Sequence, residues 1–213
     1  MKTFGRVLTA MITSFNDDGS VNIENTVAIA EHLLNHGSDG LVVCGTTGEN
    51  PTISRESKIA LFKAIAETCG DKGTIIANVG SNDTKGSVDF VKEVSTIPGI
   101  DGLLVVVPYY NKPNQQGQYL HFKSIAEATT LPIMVYNVPG RVGTGIFPAT
   151  LARLHKEYPH ICAIKEASGN LMIASEIKRL MPGEDFMVYS GDDGLTLPIL
   201  SVGGTGVISV VSH

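Results

Sequence analysis

Positive charge is in short supply in this sequence: Lys and Arg number 16 against 21 Asp and Glu, for a formal net charge of -5. Such a chain has no basic footprint for nucleic acid or an anionic membrane, and neither is expected as a partner. Long apolar runs are also missing, so no bilayer span is expected, and the opening MKTFGRVLTAMITSF lacks the uninterrupted apolar core of a signal peptide. A cytoplasmic location is the expectation that follows. The cysteines number only three. Cys44 and Cys162 lie inside apolar strand-like runs, where a small buried thiol is the simplest role, and with Cys69 they argue against disulfides or metal ligation. The six histidines show no H-E-x-x-H or comparable spacing, so no metal site is expected. Low-complexity tracts, charge blocks and long linkers are absent too, which leaves one domain over residues 1–213.

What is present is a rhythm of apolar, β-branched runs bounded by glycine or proline. They are VLTAMIT from Val7, GLVVCG from Gly40, TIIANVG from Thr74, GLLVVVP from Gly102, LPIMVYNV from Leu131, ICAIK from Ile161, FMVYSG from Phe186 and TGVISV from Thr205. Their spacing of roughly 20 to 35 residues fits a strand, a helix and two loops, the repeating unit of a parallel sheet. Helical periodicity fills the intervals. Ile23, Val27, Ala30 and Leu34 fall on one face ahead of Gly37. Leu61, Ala64, Ile65 and Cys69 do so between an N-cap at Ser54 and a stop at Gly70. Weaker helical patterns lie around Val88 to Val94, Tyr119 to Ala128, Pro148 to His155, Met172 to Leu180 and Leu195 to Ser201. An open doubly wound sheet usually carries G-x-G-x-x-G after its first strand, but here that strand runs into SFNDDGS. About eight strands favour a closed α/β architecture, the (β/α)8 TIM barrel. Because the chain stops at His213, just past the eighth strand, the expected barrel is truncated there, without an eighth helix.

In such a fold, chemistry gathers beyond the carboxyl ends of the strands. After the second strand, GTTGEN offers glycines that free backbone N–H groups to converge on an anion, with hydroxyl donors at Thr46 and Thr47; a plain tight turn is the alternative. After the fourth, PYYNKP sets Tyr109 and Tyr110 on a proline-bounded turn, a pattern equally suited to packing or an interface. After the fifth, YNVPGR supplies Tyr136 near the strand end and Arg141 on the loop, whose planar fork suits a substrate carboxylate. After the sixth stands Lys165, at the end of an apolar strand. It either snorkels to solvent or is kept neutral by apolar walls and a nearby arginine, as a nucleophile toward a carbonyl substrate such as a 2-oxo acid. After the seventh, SGDDGL brings Gly191 and two acids, as substrate contacts or as a helix cap. The GGTG before the eighth strand is a weak phosphate-cradle signal.

In this order, GTTGE, YYNKP, YNVPGR, IKEASG, SGDD and GVISV resemble the dihydrodipicolinate synthase family of the pyruvate-dependent class I aldolase and N-acetylneuraminate lyase superfamily. The resemblance runs from the first strand to Val210, and it implies that family members continue past the eighth strand into an eighth helix and a C-terminal helical region, both lacking in residues 1–213. It implies a (β/α)8 barrel, usually a homotetramer, that condenses pyruvate with L-aspartate 4-semialdehyde to 4-hydroxy-tetrahydrodipicolinate, on the route to diaminopimelate and lysine, with no metal or organic cofactor. By motif, Lys165 resembles the Schiff-base residue, Tyr136 the central proton relay and Thr46 its partner. Tyr110 resembles the tyrosine that a neighbouring subunit inserts. Thr47 then corresponds to the binder of the pyruvate carboxylate, Arg141 to that of the semialdehyde carboxylate, and Gly191 and Ile208 to substrate-lining positions. A sister aldolase acting on sialic acid or a 2-keto-3-deoxy sugar acid would share Lys165 and Tyr136, and an inert, truncated barrel is the alternative of another class. In lysine-sensitive family members an effector pocket uses histidines where this chain has Arg55 and Lys58, and an acid where it has Gly86. Weak or absent inhibition by lysine is therefore expected.

Overall fold

A computed structural model describes residues 4–213. Its eight strands are β1 (Val7–Ala10), β2 (Gly40–Val43), β3 (Thr74–Asn78), β4 (Gly102–Val106), β5 (Ile133–Asn137), β6 (Ile161–Glu166), β7 (Met187–Ser190) and β8 (Gly206–Ser209). They pair in parallel in sequence order, and β8 closes on β1. The helices are α1 (Ile23–Asn35), α2 (Arg55–Cys69), α3 (Thr84–Val94), α4 (Gln115–Ala126), α5 (Pro139–Val142), α6 (Pro148–Glu157), α7 (Leu171–Leu180) and α8 (Thr196–Ser201). This is the closed barrel that the eight apolar runs predict. Strands covered on both faces need no polar side, which is why they read as continuous Val, Ile and Leu.

Register decides which side chains face the barrel axis, because residues paired across parallel strands point the same way. Asn78 pairs with Leu104, Val106 with Tyr136, and Tyr136 with Lys165. This puts Asn78, Val106, Tyr136 and Lys165 on the inner face. The neighbours Asn137 and Glu166, themselves paired, then face the helix layer. One slip interrupts the ladder: β5 and β6 shift register between Ile133 and Met134, so that Ile133 pairs with Ile161 but Met134 with Ala163.

The amino-terminal end of the barrel is closed by packing. Phe4 is buried against Gly102, where an added Cβ would lie 2.7 Å from its ring. Tyr189 Oη donates to the Gly5 carbonyl at 2.8 Å. The Asp39 carboxylate accepts the N–H groups of Arg6 and Val7 at 2.7 and 2.9 Å.

The helices follow the periodicity with small corrections. On α1 the buried residues are Thr26, Ala30 and Leu33, a stripe rotated from the expected one. Thr26 tolerates burial because its hydroxyl donates to the Asn22 carbonyl and accepts from the Ser14 N–H. Ser54 caps α2 by accepting from Ser57 N–H at 3.1 Å. On that helix Phe62 and Ala66 are buried beside Leu61, Ile65 and Cys69, while Ala64 is only half-buried. Arg141, expected on a loop, instead lies in the single turn of α5, started by Pro139 and ended by Gly143 at φ 77°.

Candidate active site

A cavity of about 680 Å³ opens at the carboxyl end of the barrel, lined among others by Thr46, Asn78, Tyr110, Tyr136 and Arg141. Lys165 is not part of the wall itself but lies against Tyr136, which is. The side chain is 5% exposed, and Nζ sits 4.7 Å from the centroid of the Tyr136 ring. Burial is the main influence on the ammonium and drives its pKa down to about 8; the Asp193 carboxylate pulls it up and the Arg141 guanidinium adds to the fall. An amine held there is partly unprotonated near neutral pH, which is what nucleophilic attack on a carbonyl needs.

Tyr136 is buried as well, and burial raises its phenol, opposed by the Thr46 hydroxyl and the charge of Arg141. A phenol beside a hydroxyl, with an amine over its ring face, offers a group that can give up and take back a proton. Gly191 touches the same lysine: a Cβ there would stand 3.0 Å from Lys165 Cε and Cγ and 2.8 Å from Ala167 Cβ, so only glycine lets the stem lie flat. Asp193 accepts the N–H groups of Val210 and Val211 at 3.1 and 3.4 Å. Asp192 is the cap, accepting from Gly194 N–H at 3.0 Å. Of the two acids of SGDDGL, Asp192 thus takes the cap role, while Asp193 tethers the backbone that follows β8.

The other expected residues fall as follows. Thr46 and Arg141 stand at the cavity wall and are exposed. Tyr110 stands at the rim, 87% exposed, with its backbone left-handed at φ 67°. Thr47 is half-buried in the turn after β2, and Ile208 is buried on β8; neither belongs to the cavity wall, which also omits Gly191. The GTTGEN turn differs from expectation in its backbone. The left-handed residues there are Glu49 (φ 59°) and, just before the turn, Cys44 (φ 54°), not the glycines. Gly48 serves close approach instead, since a Cβ would lie 3.0 Å from the Met11 carbonyl oxygen. Gly203 and Gly204 of GGTG precede β8, at the barrel end away from the cavity. The three cysteines are buried free thiols, and burial lifts Cys44 to about 12 and Cys162 to about 11.

Three residues escaped the sequence reading. Asn78 donates from Nδ2 to the carbonyl of the left-handed Cys44 at 2.7 Å, while its Oδ1 is buried without a partner. Glu166 and Asn137 pair behind the barrel wall at 2.7 Å. The available signal was slight: a polar residue ending each of the runs TIIAN, IMVYN and ICAIKE. Among the described residues, no group of three or more His, Cys, Asp or Glu is placed to hold a metal ion, and no helix is long and apolar enough to cross a membrane.

Comparison with known proteins agrees with this geometry. The model of the dihydrodipicolinate synthetase family matches residues 3–213. A 4-hydroxy-tetrahydrodipicolinate synthase from Desulforamulus reducens is 52% identical over 210 residues, which are 99% of this chain and 70% of that protein. Among solved structures, a dihydrodipicolinate synthase from Bacillus anthracis superposes with a TM-score of 0.96 at 45% identity, covering 100% of this chain and 72% of its own. The enzyme from Cyanidioschyzon merolae, solved with lysine bound, gives 0.95 at 46% identity, covering 99% and 71%. The chain belongs to the dihydrodipicolinate synthetase family.

Proposed function

We propose that this site condenses pyruvate with L-aspartate 4-semialdehyde to 4-hydroxy-tetrahydrodipicolinate, as a lyase of the class I aldolase type on the way to diaminopimelate and lysine. The observation that carries the reading is Lys165: buried, at a strand end on the barrel's inner face, with Nζ 4.7 Å from the Tyr136 ring and its pKa drawn down to about 8. Near pH 7 such an amine is about one-tenth neutral, against a few parts in ten thousand for an ordinary lysine. Its lone pair attacks the keto carbon of pyruvate. Tyr136, with Thr46 beside it, returns protons to the carbinolamine oxygen so that water leaves and the imine forms. Loss of a methyl proton gives the enamine, whose carbon attacks the aldehyde of the second substrate. That substrate's own amine then displaces Lys165 as the ring closes.

In this reading Thr47 holds the pyruvate carboxylate, Arg141 holds the semialdehyde carboxylate by a charge-assisted fork, and Gly191, which packs on the Lys165 stem, and Ile208 line the substrate below the wall of the open cavity. The chemistry runs through the lysine imine and calls for no metal or organic cofactor. The exposed, left-handed Tyr110 at the rim supports its insertion into a neighbouring subunit's relay, and hence a homotetramer, in the cytoplasm.

Lysine should inhibit weakly. Arg55 is engaged by Glu93 at 2.7 Å and lies over the Phe90 ring, and Gly86 brings no carboxylate to pair an ammonium. Inhibition at submillimolar lysine in a coupled assay would overturn this.

The test of the main reading is reductive trapping. Borohydride with pyruvate should add one covalent adduct, mapped to Lys165 by peptide mass spectrometry and absent in Lys165→Ala. An adduct on another lysine, or undiminished labelling of the variant, rules the mechanism out.

A further inference from the structure

Glu166 poses a physical problem that the reaction does not explain. It follows Lys165 directly, yet strand alternation turns it away from the cavity, and it is 2% exposed. Burying a carboxylate costs free energy unless its oxygens are well hydrogen-bonded. Burial accordingly pushes its pKa up, and the hydrogen bonds from Asn137 and Ser168 pull it back. Among the described residues no cation forms a salt bridge with it.

Its bonds explain the choice of residue. Oε2 accepts from Asn137 Nδ2 at 2.7 Å, and Oε1 accepts from the Ser168 N–H at 2.6 Å. Two N–H donors converge on one side chain, and only a carboxylate offers an acceptor oxygen to each; a glutamine would turn an NH2 toward one of them. The chain of bonds continues. Asn137 Oδ1 accepts from the Ile146 N–H at 3.2 Å, at the end of the segment that contains α5 and Arg141. Gly145 lets that segment come close, since a Cβ there would stand 3.1 Å from Asn137 Oδ1. One buried anion thus ties the strand residue next to Lys165, the one next to Tyr136 and the segment carrying Arg141.

We propose that Glu166 is a positioning residue: bridging Asn137 and Ser168 behind the barrel wall, it holds Lys165 over Tyr136 and Arg141 at the cavity mouth. It touches no substrate. The inference rests on the reading of Lys165 as the imine-forming residue, and the experiment separates the two.

The measurement is the initial rate of borohydride-trapped pyruvate adduct per folded protein across pH 6 to 10, with kcat and KM for the semialdehyde in the coupled assay. Glu166→Gln should lower the high-pH plateau of trapping by roughly tenfold to a hundredfold, the range expected when a nucleophile is misplaced by about an ångström. The pH midpoint should stay where it is, because Glu166 is not among the charges acting on Lys165. Asn137→Asp should be worse, since two carboxylates would then face each other. The double variant Glu166→Gln with Asn137→Asp exchanges donor for acceptor and leaves every bond satisfied. It should recover trapping to within about threefold of the parent, a rescue that hydrogen-bond complementarity predicts. Glu166→Asp keeps the charge but is too short for both donors, and it should show the same fallen plateau if the glutamine variant does not fold. No adduct in the parent protein would defeat the imine reading itself. An adduct in the parent with single variants at parental rates, a double variant no better than the worse single, or a midpoint that moves with the plateau would each overturn the positioning role.

Discussion

The two ends of the barrel differ in which residues take a left-handed backbone. At the amino-terminal end, the connections into β2, β4, β7 and β8 use Gly37, Gly99, Gly183 and Gly203 wherever φ is positive. Those turns are relaxed. At the carboxyl end Gly19, Gly143 and Gly169 are joined by Cys44, Glu49, Tyr110 and Lys112, left-handed without being glycine, and these four flank the cavity in the turns after β2 and β4. Each such residue costs on the order of 1 kcal/mol or more. One end of the molecule is therefore built to close, while the other gives up stability to aim Thr46, Tyr110 and their neighbours.

The largest expected contrast comes from adding one methyl at each end. Gly206→Ala would drive a Cβ into the Arg6 backbone carbonyl, which already accepts the Val207 N–H at the β1–β8 seam. It should cost about 3 kcal/mol or more in urea unfolding, by overpacking where nothing flexible can yield. Gly140→Ala, with nothing within 4 Å of its Cβ, should be neutral or slightly stabilising. Equal losses at the two sites would erase the comparison.

Next in size is the buried lysine. Because its pKa falls from 10.5 unfolded to about 8 folded, the unfolded chain binds a proton that the folded one lacks between those two values. Stability should rise as pH climbs through that window, and below about pH 8 the folded state carries a penalty of roughly 3 kcal/mol. Lys165→Met should abolish the pyruvate adduct while raising the urea midpoint at pH 7, and this gain should vanish above pH 10.5. A variant no more stable than its parent would show that the ammonium is comfortably solvated.

Arg141→Ala should spare the pyruvate adduct and impair use of the semialdehyde by about 1.5 to 3 kcal/mol, the worth of a charge-assisted contact; equal damage to both half-reactions would make Arg141 part of the scaffold. The smallest effect should come from Glu49→Gly, which relieves a left-handed residue at the exposed start of the 3-10 turn Asn50–Thr52. It should gain up to about 1 kcal/mol. A loss would mean that the left-handed turn is held at no cost.

What could be read from sequence follows the same division. The eight strands and their order were legible because parallel strands covered on both faces must be apolar along their whole length. The positions of Lys165 and Tyr136 were legible because motif and strand end coincide. The one-turn α5 was not, since four residues beginning Pro-Gly carry no period to detect. Nor was the strain at Cys44, which sits beside a glycine that looks the better candidate. Glu166 was read only as part of a motif, because alternation says that it faces away from its neighbour but not what waits there.

The slip between β5 and β6 is the feature on which that alternation turns. Had the ladder continued unbroken from Ile133 opposite Ile161, Tyr136 would face Ile164, and Lys165 would stand opposite Asn137 with its back to the cavity. One additional residue on β6, between Ile161 and Ala163, changes the parity of the strand's upper half. The lower half stays seated on its own neighbours. The bulge therefore works as a phase-setter, deciding whether the barrel's centre holds an amine that can condense with a ketone or an aliphatic side chain that cannot.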